Sequence, residues 1–310
     1  MLSRFSKSLT TSVESGGVLA KTSRGVVIEE SPHSPRDIVL NGWLTAIRNI
    51  RRYEARTGSK AAQDLVNANL KTLSRLLPLY DVPALANTRY RIRGFAYVRL
   101  RFESTDGVIL QDASLDIPGG STHPVRPDYL DRWHSGFMRG VEPIADGLQV
   151  IAPQVQLNLV LSLLSAPEPN RLSMRISALS AGKVSILIAD GDYTPLTSGM
   201  PTQRWKTIET LAYPQGSSRL DFGIPIATIE KIAYPTNFKK RINGRNYNSY
   251  HFIHADRLDI LARDFDNPVF DEYARRWRAY PEQWPDHPAY QGHDIQTERY
   301  QMKPRRPDPE

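Results

Sequence analysis

Two periodicities divide this chain. In the first, apolar residues recur every three or four positions: Ile38, Val39, Trp43, Leu44, Ile47 and Ile50, then Leu65, Leu70, Leu73, Leu76 and Leu77. That spacing lines one side of a helix with apolar groups. It predicts a helix over 36–56, with Arg48, Arg51, Arg52 and Arg56 largely on the other face and Gly58 as its stop. A second helix is predicted from Ser59 to about Leu77, ahead of Pro78. The short link makes the two an antiparallel hairpin. The same period returns at Tyr250, with Leu258, Ile260, Leu261 and Phe265, and Asn267-Pro268 opens a last helix that runs to Tyr280. Upstream, residues 4–13 read as a helical turn or two. Residues 17–30 read as a two-stranded ribbon turned at Ser23–Gly25 and broken by Pro32 and Pro35.

The second period begins near Gly94, where apolar and polar residues alternate. FAYVRLRFES, VILQDASLDI, NRLSMRISALS, GKVSILIADGDY, RWKTIETLAY, SRLDFGIPIA and TIEKIAYP are separated by Gly, Pro, Asn, Asp and Ser. Many short alternating runs between turn residues predict an antiparallel β-sandwich. Residues 118–143 are less regular and read as a long loop holding Trp133, His134 and Phe137. From Pro281 onward Pro and charge dominate, which predicts an extended or disordered tail. The order of helices, strands and helices predicts an α+β multidomain chain, with a β domain inserted in a loop of a helical domain. The expected parts are 1–93, 94–246, 247–281 and 282–310. The two ends of such an insertion lie close together.

Composition narrows the chemistry. The chain has 310 residues, 40% of them hydrophobic, which is enough for a substantial core. It has no cysteine, so disulfides and thiolate chemistry are excluded. Net charge is +7. An excess of that sign favours polyanions, or simply a solvated basic face. No apolar run reaches the roughly 20 residues of a membrane helix, and the N-terminus lacks the apolar stretch of a cleavable signal. Those features place the chain by default in the cytoplasm. No Gly-rich phosphate loop, nucleophile elbow or zinc-finger spacing is present. Nothing points to sequence-specific nucleic-acid recognition, and no cofactor or metal is expected.

The candidate site follows from the insertion. Tyr90 and Arg93 stand three apart in a loop leaving the second helix, and Tyr250 stands where the helical pattern resumes. Closing the insertion brings the three together. Each also has a plain structural role open to it. A tyrosine beside a loop is commonly a packing residue with its hydroxyl satisfied. Arg93 can pair with Asp81 or Glu30, and Glu30 can be a solvated strand end. Asn41-Gly42 can shape the start of a helix. His251 and His254, three apart, lack a marked third ligand for zinc. Trp133, Trp205, Tyr193 and Tyr213 can stack on sugar rings or fill a core.

One resemblance sharpens these alternatives. Glu29-Glu30-Ser31-Pro32, Val39-Leu40-Asn41-Gly42, LLPLYD at 76–81, Tyr90 to Gly94, Asn248 to His254, and the final helix with Pro268, Val269, Phe270, Arg276 and Trp277 are similar, in order and spacing, to the C-terminal helical domain of D-glucuronyl C5-epimerases. The similarity covers roughly 14–94 and 247–281. It implies a partial (α/α)-toroid-type helical domain. It implies inversion at C5 of uronic acid residues in an acidic polysaccharide such as heparosan. Glu30, Tyr90, Arg93 and Tyr250 match the family's site residues, and His251 and His254 match motif positions beside them. By this reading Tyr90, Tyr250 and Glu30 move protons, while Arg93, Asn41, His251 and His254 contact substrate. Arg93 would also depress the Tyr90 pKa. Three departures stand out. Ser31 occupies the place of a family tyrosine. The family's N-terminal domains and the first half of its toroid have no counterpart. The β insertion replaces a short loop. These departures keep a non-catalytic polysaccharide-binding protein and a polysaccharide lyase as alternatives. They also leave room for a second copy or a partner chain to complete the cleft.

Overall fold

The N-terminal helix begins later than its apolar pattern, at Leu40, because side chains hold the preceding residues out of it. Ile38 has φ 46°, a costly conformation for a β-branched residue. The Glu29 carboxylate accepts from its amide at 3.1 Å, and the Tyr80 hydroxyl donates to its carbonyl at 2.7 Å. Helix α1 (Leu40–Thr57) then runs to Gly58, whose left-handed φ of 64° closes it. Ser59 caps α2 (Lys60–Tyr80) by accepting from the Ala62 amide. This helix continues through Pro78 to Tyr80, beyond the expected stop. Trp43 of α1 and Asn69 of α2, both fully buried, join across the hairpin with a 2.8 Å hydrogen bond.

The computed structural model describes residues 9–30, 37–190, 196, 204–233 and 235–300. A ribbon of β1 (Leu19–Thr22) and β2 (Gly25–Ile28) lies against α2 and α1. After α2 come a two-residue ladder of β3 (Asp81–Val82) and β4 (Asn87–Thr88), then β5 (Arg93–Phe102), β6 (Ile109–Asp116) and β7 (Thr122–Pro124). They are followed by β8 (Gly136–Arg139), β9 (Val141–Ile144), β10 (Gly147–Val150), β11 (Gln154–Ser162), β12 (Asn170–Ala178), β13 (Gly182–Asp190), β14 (Arg204–Tyr213) and β15 (Gly216–Ile224). These strands form two antiparallel sheets. One has the order β14-β13-β5-β11-β8; the other has β15-β12-β6-β10-β9, with β7 added on β6. Val98, Leu100, Leu157, Leu172, Ile176 and Ile186, from both sheets, join one apolar core.

The run at 226–232 reads as a strand by alternation but folds as helix α3 (Ile226–Ile232). Ile226, Ile229 and Ile232 also satisfy a three-residue period. This helix lies on β5, where only glycine fits: a Cβ on Gly94 would sit 2.4 Å from the Ile232 carbonyl. A hairpin of β16 (Lys240–Ile242) and β17 (Arg245–Tyr247) turns at Asn243-Gly244, both left-handed, a hairpin signal in the sequence itself. Helices α4 (Ser249–Phe265) and α5 (Pro268–Gln283) complete the long helices among the described residues. Helix α4 lies between α1 and α5, and α5 reaches α2.

Two expectations are overturned. The described residues hold five α-helices and five sheets, and β-structure predominates. The long helices make two hairpins, not an (α/α) toroid. The antiparallel β-rich part is consistent with the sandwich expectation. Residues 284–300 are also packed, not an extended tail. Trp284 and Tyr290 are buried, pack edge-on and tilted against Phe238 with ring centroids 4.8 and 5.0 Å away, and donate to the carbonyls of Ala86 and Leu85. A few aromatic anchors outweigh a polar average composition. Residues 301–310 lie outside the described ones. Among the described residues no helix is long and apolar enough to cross a membrane.

Candidate active site

The α1–α4 contact positions the candidate chemistry. The Leu40 amide, at the start of α1, donates to the Tyr90 carbonyl at 3.0 Å. This bond ties the loop after β4 to the helix carrying Asn41. On α4, Asn248 caps the first turn by accepting from the His251 amide, so Tyr250 projects from the helix start. The rings of Tyr90 and Tyr250 meet edge to face, with centroids 4.7 Å apart. Tyr250 is 36% exposed and Tyr90 is half-buried. The Tyr90 pKa is pushed up to about 12, mainly by burial, then by Tyr250 and Glu30 and by a hydrogen bond with Tyr250; Arg91 works weakly the other way. The expected depression of Tyr90 by Arg93 is therefore reversed. Arg93 spends its charge elsewhere.

A cavity of about 420 Å³ runs along α1. Asn41, Gly42, Thr45 and Asn49 line one side, Glu30 stands at the end of the ribbon, and Arg257 reaches in from α4. Gly42 is there for contact: a Cβ would lie 2.3 Å from a Glu30 carboxylate oxygen. Its absence lets Glu30 lie on the helix. Arg257 donates to the Asn41 carbonyl at 2.5 Å, and the Thr45 hydroxyl donates to the same oxygen at 2.6 Å. The Asn41 side-chain oxygen is buried with no hydrogen-bond partner among the described residues. A buried acceptor of that kind favours a ligand donor. The Arg257 pKa is lowered by burial and by Arg48, with Glu30 opposing.

Arg93 is not in this cavity. It is 2% exposed, and its Nε lies 2.6 Å from Asp37, which also pairs with Arg91 at 3.2 Å. The Trp133 ring covers both guanidinium groups, at 4.1 Å from Arg91 and 5.5 Å from Arg93. The expectation that Arg93 binds a substrate carboxylate is corrected: a protein carboxylate occupies it, and it is Asp37 rather than Asp81 or Glu30.

The two histidines are corrected likewise. Both are fully buried. His251 Nε2 lies 2.7 Å from the Trp277 carbonyl, and both Nδ1 atoms face the Thr88 hydroxyl, at 3.3 and 2.9 Å. Burial holds the His251 pKa down at about 4, and burial with His251 and Arg257 nearby holds His254 well below its ordinary value. They are neutral struts between β4, α4 and α5. Asp81, the end of LLPLYD, belongs to the same framework. It accepts from Arg276 at 2.8 Å, Trp277 at 3.0 Å and Tyr280 at 2.7 Å. Among the described residues no group of three His, Cys, Asp or Glu could hold a metal ion. Ser31 and Tyr193 lie outside the described residues.

Arg257 was missed from sequence, though a signal existed. It follows Tyr250 by seven residues, two helical turns along one face. Asp37 and Arg91 carried no pattern of their own.

Residues 2–101 match the family model described as the D-glucuronyl C5-epimerase C-terminus. The match supports the resemblance to that family over the first third of the chain, including Glu30, Asn41, Gly42 and Tyr90. It ends before Tyr250 and Arg257. No curated protein and no solved structure matches the chain.

Proposed function

We propose that this protein is an epimerase of the D-glucuronyl C5-epimerase type, inverting C5 of uronic acid residues in an acidic polysaccharide. The observation that carries the reading is that Glu30 and Arg257 line one cavity, while Glu30 also acts electrostatically on Tyr90, whose ring meets that of Tyr250. The C5 proton is α to a carboxylate, so removing it builds charge on the carboxylate oxygens. A guanidinium offsets that charge with two parallel hydrogen bonds. Arg257 takes that role in place of Arg93. Glu30 accepts the C5 proton. Tyr250 delivers a proton to the opposite face, and the proton on Glu30 returns through solvent. Tyr90 keeps its own proton at neutral pH, because its pKa is raised to about 12. It therefore acts as a hydrogen-bond donor to the oxygen that Tyr250 leaves charged, not as the base. Asn41 accepts from a substrate hydroxyl.

The test is incubation in D2O with glucuronate-containing and alginate-like polymers. Deuterium should enter C5 without chain cleavage. Tyr250→Phe and Glu30→Gln should each lower exchange by about 10²–10⁴-fold, the usual contribution of a positioned acid or base. Folded wild-type protein that exchanges no C5 proton on either polymer sinks the proposal. A chromophoric unsaturated product would identify a lyase. Ser31, at the position of a family tyrosine, favours one second reading, a protein that binds the polymer without catalysis; binding with no exchange would be its mark.

A further inference from the structure

The two sheets of the sandwich present very different outer faces. On the strands of the sheet containing β12, two of the three arginines are neutralised: Arg175 pairs with Asp112, and Arg219 pairs with Asp221. On the sheet containing β5 they are not. Along β5, Ala96, Val98, Leu100 and Phe102 face the core, so Phe95, Tyr97, Arg99 and Arg101 face outward. Strand register places Asn158, Gln156 and Gln154 of β11 beside Tyr97, Arg99 and Arg101, and Arg139 of β8 beside Gln156. Trp205 of β14 stacks on Arg99 at 3.7 Å. No carboxylate pairs with Arg99, Arg101 or Arg139 among the described residues, and Arg139 and Arg101 both depress the Arg99 pKa, after burial.

A second observation points to a ligand. Gln156 is 7% exposed and Asn158 fully buried, yet the Oε1 of one and the Oδ1 of the other have no hydrogen-bond partner among the described residues. The Arg99 Nε is also buried without one. Unmet carbonyl oxygens seek donors such as hydroxyl groups, and unpaired guanidinium groups seek carboxylates. Aromatic rings offer flat faces for sugar rings. Arginines, acceptors and rings along one strand suit a linear chain carrying both hydroxyls and negative charge.

The face also continues into the candidate site. Trp133 lies 5.9 Å from Phe95 and 4.1 Å from Arg91, and Arg91 lies 6.0 Å from the Tyr90 ring. Asn158 holds this loop by donating to the carbonyls of Arg132 and His134. From Phe95 to Arg101 the strand extends about 20 Å beyond that junction. We infer that the outer face of the β5 sheet is a binding track for an anionic polysaccharide, holding the polymer on one side of the cleft between α1 and α4. The choice of polymer rests on the epimerase reading; the track itself rests on the sheet.

Binding to the full chain tests it without turnover. The probes are heparosan, a neutral glucan and a single-stranded oligonucleotide. Heparosan should bind, with affinity falling as salt rises, and the neutral glucan should not. Arg101→Glu with Arg139→Glu, both at surface positions, should weaken heparosan binding at least tenfold. Arg175→Ala with Arg219→Ala, on the other sheet, should leave it unchanged. Circular dichroism checks that each variant is folded. Equal heparosan affinity in the two double variants overturns the inference, as does wild-type protein that binds the oligonucleotide but not heparosan. If C5 exchange is absent but the Arg101/Arg139 variant still loses heparosan, the track stands and the epimerase reading falls.

Discussion

Helix α4 carries two kinds of polar residue on two faces. Inward are His251 and His254, fully buried, neutral, and packed among Thr88, Trp277 and Trp284. On another face are Tyr250, 36% exposed and paired with Tyr90, and Arg257, which lines the cavity beside Glu30. Both faces carry residues that look functional in sequence. The inner face is the better furnished with chemical motifs, yet it is the scaffold. Its groups bond largely to the framework: both histidines reach Thr88, His251 also meets the Trp277 carbonyl, and nearby Asp81 accepts from three side chains, while the His254 Nε2 is enclosed without a hydrogen-bond partner among the described residues. The outer face retains unused capacity, including the buried oxygen of Asn41. Unspent hydrogen bonding next to open volume marks a candidate site more reliably than residue type.

That contrast can be broken by mutation. The largest effect expected is on the inner face. Asp81→Ala leaves Trp277, Tyr280 and Arg276 without their acceptor and should cost about 3–5 kcal/mol in urea unfolding. Stability loss below about 1 kcal/mol would remove Asp81 from the framework. Next comes acid sensitivity. A histidine whose folded pKa is lowered binds its proton more readily when unfolded, so stability is complete above pH 6.5 and declines as pH falls towards 4. His251 alone should account for roughly 3 kcal/mol. A flat unfolding free energy over that window would contradict the buried neutral state, and His251→Gln should flatten the slope.

On the cavity face the expected losses are in function. Arg257→Lys replaces a forked donor with a point charge and should weaken substrate turnover by about 10–100-fold, or roughly 1–3 kcal/mol. Its unfolding midpoint should stay near wild type; a large stability loss would move Arg257 to the scaffold. The smallest effect belongs to neither face. Ser59→Ala removes the α2 cap and should cost about 1 kcal/mol, with C5 exchange per folded molecule unaltered.

Much of this molecule was legible along the chain. The α1–α2 hairpin, α4, α5 and the alternating strands of β5, β12 and β15 follow their periods because each element buries one face. Where two periods fit, as in Ile226, Ile229 and Ile232, alternation misled: contact with β5 at Gly94 selects the helix. The tail misled because its average composition hid Trp284 and Tyr290.

The sequence by itself determined most of the long elements and the family likeness of the first third, since both rest on local spacing and residue type. It also offered Tyr90, Tyr250, Glu30 and Asn41 as candidates. Only the tertiary structure decided which charges are spent. Arg93 and Arg257 are the same residue type, and no local rule separates them. Asp37 lies 2.6 Å from one, while the other faces a cavity. A group's chemistry is set by what surrounds it once the chain has closed.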